Sequence, residues 1–246
     1  MIIGAGLAGL IAAYVFPHEP VVEAQDRSWV EHQAVLRFRS TAVAELTGIP
    51  FRQVTVRKGI YSQNAWTTPN IAVCNAYAAK TIGCFVDRSI WDIDPVTRYI
   101  APPDLRERMC DAIGGRISWN CLVPLHDVAR YPKPVISTIP MNMMATELLA
   151  GETIEFRRAP ILTTRVTLPG ADVFQTVYFP DACTSLYRAS ITGDLLVCEW
   201  AGSDLTAPDR ECGLAMLRSA FALSSGDLEG LTAPHKQHFG KIAPID

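Results

Sequence analysis

The sequence predicts a two-lobed α/β protein, a three-layer α/β lobe interrupted by a mostly antiparallel β lobe, from three observations. A glycine triad, Gly4, Gly6 and Gly9, stands between the apolar run MII and the helix-like run LIAAY at 10–14. A second short apolar run, PVVEA at 20–24, carries the acid Glu23. Strand-like runs separated by turn residues dominate the chain after position 145. With 246 residues there is length enough for two lobes, since single domains commonly run to about 100–200 residues.

The composition narrows the class. Hydrophobic residues make up 49% and charged residues 19%, the balance of a globular protein, and there is no apolar run of about 18 residues to span a membrane. The N-terminus has no basic leader or small-residue cleavage site, so a cytoplasmic protein is expected. Seven scattered cysteines without a C-x-x-C pair argue against a disulfide framework and a zinc site, and reduced, mostly buried thiols are expected. A net charge of −3 carries no signature of nucleic-acid binding, although a basic groove can exist on such a protein.

Taken in order, Gly4-Ala5-Gly6-Leu7-Ala8-Gly9 satisfies G-x-G-x-x-G in a strand–turn–helix context. The first glycine permits the tight turn, the second admits a pyrophosphate to the backbone, and the third lets helix and strand pack closely. Phosphates would sit on the helix N-terminus, where free N–H groups and the macrodipole favour negative charge. The triad alone also suits a plain packing turn. Glu23, ending the second strand, can accept both ribose hydroxyls of an adenosine and disfavours a 2′-phosphate. It arrives fourteen positions after Gly9, sooner than the usual spacing of about 20 from the motif, because Pro17 and Pro20 trim the helix. The segment "HQAVLRFRS" at 32–40 places Arg37 and Arg39 on one face if extended. They are either a clamp for a phosphate or carboxylate or surface arginines flanking Phe38. Residues 61–77, rich in Asn, Thr and aromatics, suit either a substrate-lining lobe or a loop-plus-helix cover.

Further on, Asp104 reads as the N-cap of a helix over 105–113 that Gly114 stops. Strands are expected at 116–123 and at 134–140 (PVISTIP), then at 175–179, 185–191 and 195–200. Thr192-Gly193-Asp194 between the last two is a hairpin signal. A helix over 208–223 precedes an irregular polar tail, in which His235 and His238 lack the companions a metal site needs. No metal is expected. No G-x-S-x-G, P-loop or H-E-x-x-H occurs, which removes support for serine hydrolases, phosphotransferases and zinc proteases of those kinds.

Two segments carry a family resemblance. Glu23-Ala24-Gln25-Asp26-Arg27 resembles the E-A-x-x-R segment of FAD-binding proteins of the amine oxidase and UDP-galactopyranose mutase type, with Ser28 and Trp29 where a Gly-Gly pair normally follows. "PVISTIP" is similar to the D-x-V-I-x-T-x-P strand with which those proteins return to the nucleotide lobe. The resemblance implies a Rossmann-like FAD-binding lobe in which FAD meets Gly4, Ala5, Gly6, Leu7, Ala8, Gly9, Glu23, Ala24, Gln25, Arg27, Leu122, Val123 and Thr138. The backbone around Leu122 and Val123 would meet the adenine. Tyr187 and Arg188 resemble the substrate-contacting pair of mutase-like flavoproteins and, with Arg37 and Arg39, are the substrate-binding candidates. No catalytic base is identified.

The implied division is 1–48 and 104–145 for the FAD lobe, 49–103 and 146–205 for the substrate lobe, and 206–246 for a C-terminal helix and tail. The implied activity is FAD-dependent oxidation of a C–N bond in an amine or amino-acid adduct, leaving an imine that water splits. The stretches "AVLRFRS" and "LYRASITGD" also look like bacteriophage FAD proteins of thymidine hypermodification. That implies a lyase trimming a glycyl-modified thymidine in DNA to aminomethyl-deoxyuridine, in the cytoplasm of the host cell. Two alternatives stay open: a mutase-like flavoenzyme on a nucleotide sugar, and a flavin-binding subunit. No glycine-rich element for the family's C-terminal return to the flavin is visible, so either the flavin site is abbreviated or a homo-oligomer or partner chain completes it. An NAD-dependent dehydrogenase explains the glycines but not the other two segments.

Overall fold

The computed structural model describes residues 1–27, 35–83, 89–124, 128, 130, 131, 134–140, 144, 156–236 and 241–244. Ser28, Trp29, Cys84 and His238 lie outside them. In chain order the elements are β1 (Ile2–Ile3), α1 (Leu7–Val15), β2 (Val21–Val22), β3 (Arg37–Phe38), α2 (Ala42–Thr47), β4 (Arg52–Ser62), β5 (Ala65–Thr67), α3 (Ile71–Ile82), β6 (Val96–Ile100), α4 (Leu105–Ile113), β7 (Ile117–Ser118), β8 (Ile136–Ser137), β9 (Phe156–Ala159), β10 (Ile161–Thr167), β11 (Val173–Tyr178), β12 (Leu186–Gly193), β13 (Leu195–Ala201), α5 (Ala207–Phe221), β14 (His235–Lys236) and β15 (Lys241–Pro244). The chain forms two units: Met1–Gln53 with Arg98–Glu155, and Val54–Thr97 with Phe156–Asp246. No helix among the described residues is long and apolar enough to cross a membrane.

Unit 1 is built on a parallel sheet in the order β7-β2-β1-β8. Ile2 pairs with Val21 and Ile136, and Ile3 with Val22 and Ser137. Strand alternation sends Ile2, Val21 and Ile117 to one face, where Leu10, Ala13, Leu105, Met109 and Ile113 of α1 and α4 cover them. Ile3 and Val22 point the other way, onto Val123 and the irregular chain around Cys121, Val135 and Ile139. Burial on both faces explains the β-branched pairs of β1 and β2, each fully buried side chain contributing about 1.5–3 kcal/mol. The third layer is therefore irregular chain rather than helix among the described residues.

Three local expectations need correction. The strands expected at 116–123 and 134–140 shrink to two residues each, β7 and β8. After β7 the backbone turns at Asn120, whose φ is +55°, a left-handed conformation that ends a strand. Asp104 does not cap α4 with its side chain; its carboxylate instead holds Arg108 Nε at 2.8 Å one turn on. The end of α1 has a partner from far along the chain: Arg116 donates to the carbonyls of Ala13 (3.0 Å), Phe16 (3.2 Å) and Glu19 (3.1 Å), placing a cation where the helix leaves its carbonyls unmatched.

Unit 2 is a mostly antiparallel sheet in the order β14-β10-β13-β12-β11, with β4 added parallel to β11 and β5 folded back on β4. The expected hairpin is present: Thr192 pairs with Leu195 across Gly193 and Asp194, and Gly193 has the positive φ, +68°, that a tight hairpin turn asks of it. One face packs Phe179, Leu186, Leu196 and Trp200 against Met216 and Leu217 of α5. The other gathers Ile60, Ile161 and Tyr187 with Cys74 and Tyr77 of α3. Asn70 starts α3 by accepting from Val73 N at 3.0 Å, and Thr206 starts α5 by accepting from Asp209 N at 3.4 Å, each relieving one orphan donor. Residues 61–77 form the end of β4, β5 and the first half of α3. The tail's strands belong to this unit, β14 pairing with β10 and β15 with β9.

Candidate functional site

The ends of the unit 1 strands converge at the glycine turn. Gly4 N bonds to Val22 O at 2.8 Å, Cys121 N to Glu23 O at 2.8 Å, and Thr138 N to Ile3 O at 2.9 Å. The turn, Glu23, the segment 121–123 and Thr138 thus lie together at the carboxyl edge of the sheet, where open α/β sheets bind their ligands. The three glycines are not equivalent. Gly4 has φ +98°, and a Cβ there would lie 2.6 Å from Thr138 Oγ1; a Cβ at Gly9 would lie 1.8 Å from Gly4 O. Both must be glycine for the turn to close at all. Gly6, the N-cap of α1, has φ −68°, which any residue adopts, and a Cβ there meets nothing within 4 Å. It faces open space at a helix N-terminus with no side-chain cap and no acid in its first turn. A packing turn needs Gly4 and Gly9 but not Gly6. At Gly6 the bare Cα would leave the first-turn N–H groups open to a pyrophosphate.

Glu23 is buried at 7% exposure, with Oε2 accepting from Ala5 N at 2.7 Å and Oε1 from Gln25 N at 3.0 Å. It fastens the middle of the turn to the end of β2. A carboxylate offers about four acceptor sites, so each oxygen keeps capacity for a ribose hydroxyl. The other predicted contacts divide. Ala24 and Gln25 are exposed at this edge, as is Ala8, while Leu7 is half-buried. Leu122 is 76% exposed beside buried Val123, an arrangement that a flat apolar base can cover. Thr138 supports the turn from behind, its hydroxyl donating to Ile3 O at 3.0 Å. Arg27 pairs with Asp111 of α4, both side chains mostly exposed.

The substrate-binding candidates separate by unit. Arg37 lies in β3, half-buried, and Arg39 follows the strand, exposed, with Phe38 between them packed against Phe51 in a tilted pair, ring centroids 5.0 Å apart. In unit 2 a β-bulge between Leu186 and Arg188 sets two consecutive residues against one acid. Tyr187 donates its hydroxyl to Glu199 Oε1 at 3.0 Å, and Arg188 grips the same carboxylate with both Nε and Nη2, the latter at 2.6 Å. Burial, with Glu199 next in weight, pushes the Tyr187 phenol well above the ordinary tyrosine range, so it is a neutral donor. Against burial, which works the other way, Glu199 holds Arg188 firmly charged. The pair named from sequence is thus a neutral three-residue cluster, with Arg188 keeping 34% exposure. Glu199 is the member the sequence reading missed.

No protein-family model matches the chain, and no curated protein sequence does. Solved structures do. The fold matches reduced UDP-galactopyranose mutase with a TM-score of 0.62 at 11% identity, over 98% of this chain and 82% of that one. It matches a putrescine oxidase redesigned for cofactor binding at 0.51 and 11%, over 96% and 83%. It also matches Xcc4156, a flavin-dependent halogenase from Xanthomonas campestris, at 0.55 and 10%, over 99% and 62%. These likenesses establish the fold expected from the sequence: a parallel α/β lobe joined to a mostly antiparallel one.

Proposed function

We propose that the chain is an FAD-dependent oxidoreductase that oxidises a C–N bond of an amine or amino-acid adduct. The observation that carries the cofactor is the open Cβ position at Gly6 between two glycines locked by contact. In this reading the first turn of α1 binds the pyrophosphate, Glu23 takes the ribose hydroxyls, and Leu122 with Val123 covers the adenine. FAD, when bound, supplies the two-electron redox chemistry. The protein binds and orients the substrate, and it must present the amine uncharged, because a protonated amine has no lone pair to expel a hydride. Cationic side chains therefore suit a remote carboxylate or phosphate. Arg39, exposed beyond β3, fits that role. Arg188 fits as a hydrogen-bond donor, since Glu199 already balances its charge.

The narrower substrate, a glycyl-modified thymidine in phage DNA cleaved to aminomethyl-deoxyuridine, rests on the resemblance of "AVLRFRS" and "LYRASITGD". A base in duplex would be reached from the major groove or flipped out. The Tyr187–Arg188 pair favours a second reading, mutase-like chemistry on a nucleotide sugar. A second copy or a partner chain is the proposed source of any further flavin contacts. Turnover of an oligonucleotide carrying glycyl-modified thymidine by the oxidised, FAD-loaded protein supports the first reading. Activity on a nucleotide sugar that appears only after the flavin is reduced replaces it with the second.

A further inference from the structure

Cys183 and Cys212, 29 positions apart, bring their sulfurs to 3.3 Å of one another. Both are free thiols; Cys183 is exposed and Cys212 half-buried, whereas Cys74, Cys110 and Cys198 are buried. Cys183 lies in the loop between β11 and β12, and Cys212 lies on α5. That loop is fixed on both sides of the thiol. Asp209, three residues before Cys212 and so on the same face of α5, accepts from Ser185 N at 2.6 Å, from Thr184 Oγ1 at 2.7 Å and from Ser185 Oγ. Lys80 donates to Phe179 O at 2.8 Å, to Asp181 O at 2.7 Å and to Leu186 O. The Asp181 carboxylate accepts from Gln63 N at 2.7 Å and from Ser62 Oγ. Met216, one turn beyond Cys212, lays its sulfur 4.0 Å from Cys183 Sγ. No group of three His, Cys, Asp or Glu side chains among the described residues is placed to hold a metal.

We infer that Cys183 and Cys212 form a thiol-oxidation site that closes to an intramolecular disulfide by exchange with a low-molecular-weight disulfide. The exposed Cys183 thiol loses its proton and attacks one sulfur of the small disulfide; that S–S bond breaks and the departing thiolate takes up a proton. Cys212, deprotonated in turn, attacks the Cys183 sulfur of the mixed disulfide and releases the second small thiol. The two cysteines give up two electrons and two protons, and one small disulfide becomes two thiols. The second step is fast because the attacking sulfur is already in contact, so an intermolecular step becomes an intramolecular one. The first step is slow near neutrality. Burial, the neighbouring Cys212 and Asp181 push the Cys183 thiol up, while the Lys80 ammonium partly offsets them; a higher pH speeds it by raising the thiolate fraction.

The test uses the full-length reduced protein in oxidised glutathione, quenched with an alkylating agent and read by intact mass and peptide mapping. The expected result is the loss of two hydrogens and a peptide joined through Cys183 and Cys212. Cys212→Ser, with the thermal transition of the reduced parent, should instead accumulate glutathione on Cys183. Recovery of both cysteines in alkylated form overturns the inference. So does a parent protein that retains glutathione on Cys183 beside a free Cys212.

Discussion

Gly6 is where the site can be tested without disturbing the fold, because its φ is ordinary and its Cβ direction is empty. Gly4 and Gly9 offer no such test, since any side chain there strikes Thr138 or the Gly4 carbonyl; Gly9→Ala should fail to yield folded protein. Glu23→Ala should act twice. It leaves the Ala5 N–H buried without its acceptor, at a cost of about 1–3 kcal/mol, and it removes the ribose contact. Thermal unfolding and FAD titration of the same sample separate the two effects, and an unchanged melting temperature would contradict the buried bond. Gly4 and Gly9 were legible as turn glycines because backbone sterics dictate residue type there, and Glu23 stood out as an acid ending an apolar run. The partners of Arg27 and Thr138, Asp111 of α4 and the carbonyls of the turn, were not legible, because only the folded chain supplies them.

The β12–β13 hairpin shows how much an element can carry. Its two-residue turn fixes a register in which Arg188 opposes Glu199. An acid inside the apolar run LLVCEW was therefore a readable signal of a cross-strand pair; what sequence does not reveal is the bulge that adds Tyr187 to it. Glu199→Leu should destabilise the protein toward the low end of about 3–5 kcal/mol, because removing one partner strands the other's charge and Arg188 keeps some water. The Arg188→Met/Glu199→Leu double variant should recover much of that loss in denaturant titration. Additive losses would mean that the two side chains do not interact. The strands of the parallel sheet were located correctly but drawn too long, because propensity continues past Ser118 where the Asn120 turn does not. Lys80 gave no sequence signal at all: it is a helix residue whose three carbonyl acceptors, from the β11–β12 loop and the first residue of β12, lie about a hundred positions away.

Lys80 also has a consequence for the whole molecule. Burial lowers its pKa to about 8 from the ordinary 10.5. Between those values the folded chain binds fewer protons at this site than the unfolded chain, so stability from this group rises as pH climbs from about 8 to about 10.5. The difference in denaturation midpoint between the parent and Lys80→Met should move in the parent's favour across that window, and a flat difference would contradict the burial cost. Oxidation of Cys183 and Cys212 should raise the thermal midpoint as well. Closing a loop of this length is worth at most about 3–4 kcal/mol in the chain-entropy model. Unit 1 is drawn from two stretches of chain separated by part of unit 2. The pairing of the described tail with β9 and β10 was not legible in the sequence, because a polar irregular segment carries no pattern that selects a partner strand.

The most direct measurement is the visible spectrum and heat-released nucleotide of the purified chain beside its Gly6→Val variant, each with a thermal melt recorded after flavin removal. The parent should show flavin absorbance and release FAD, and the variant should melt with the flavin-free parent and retain none. A variant that holds FAD at the parent's occupancy, or a parent that is colourless and takes up no added FAD, would contradict the assignment of the FAD site.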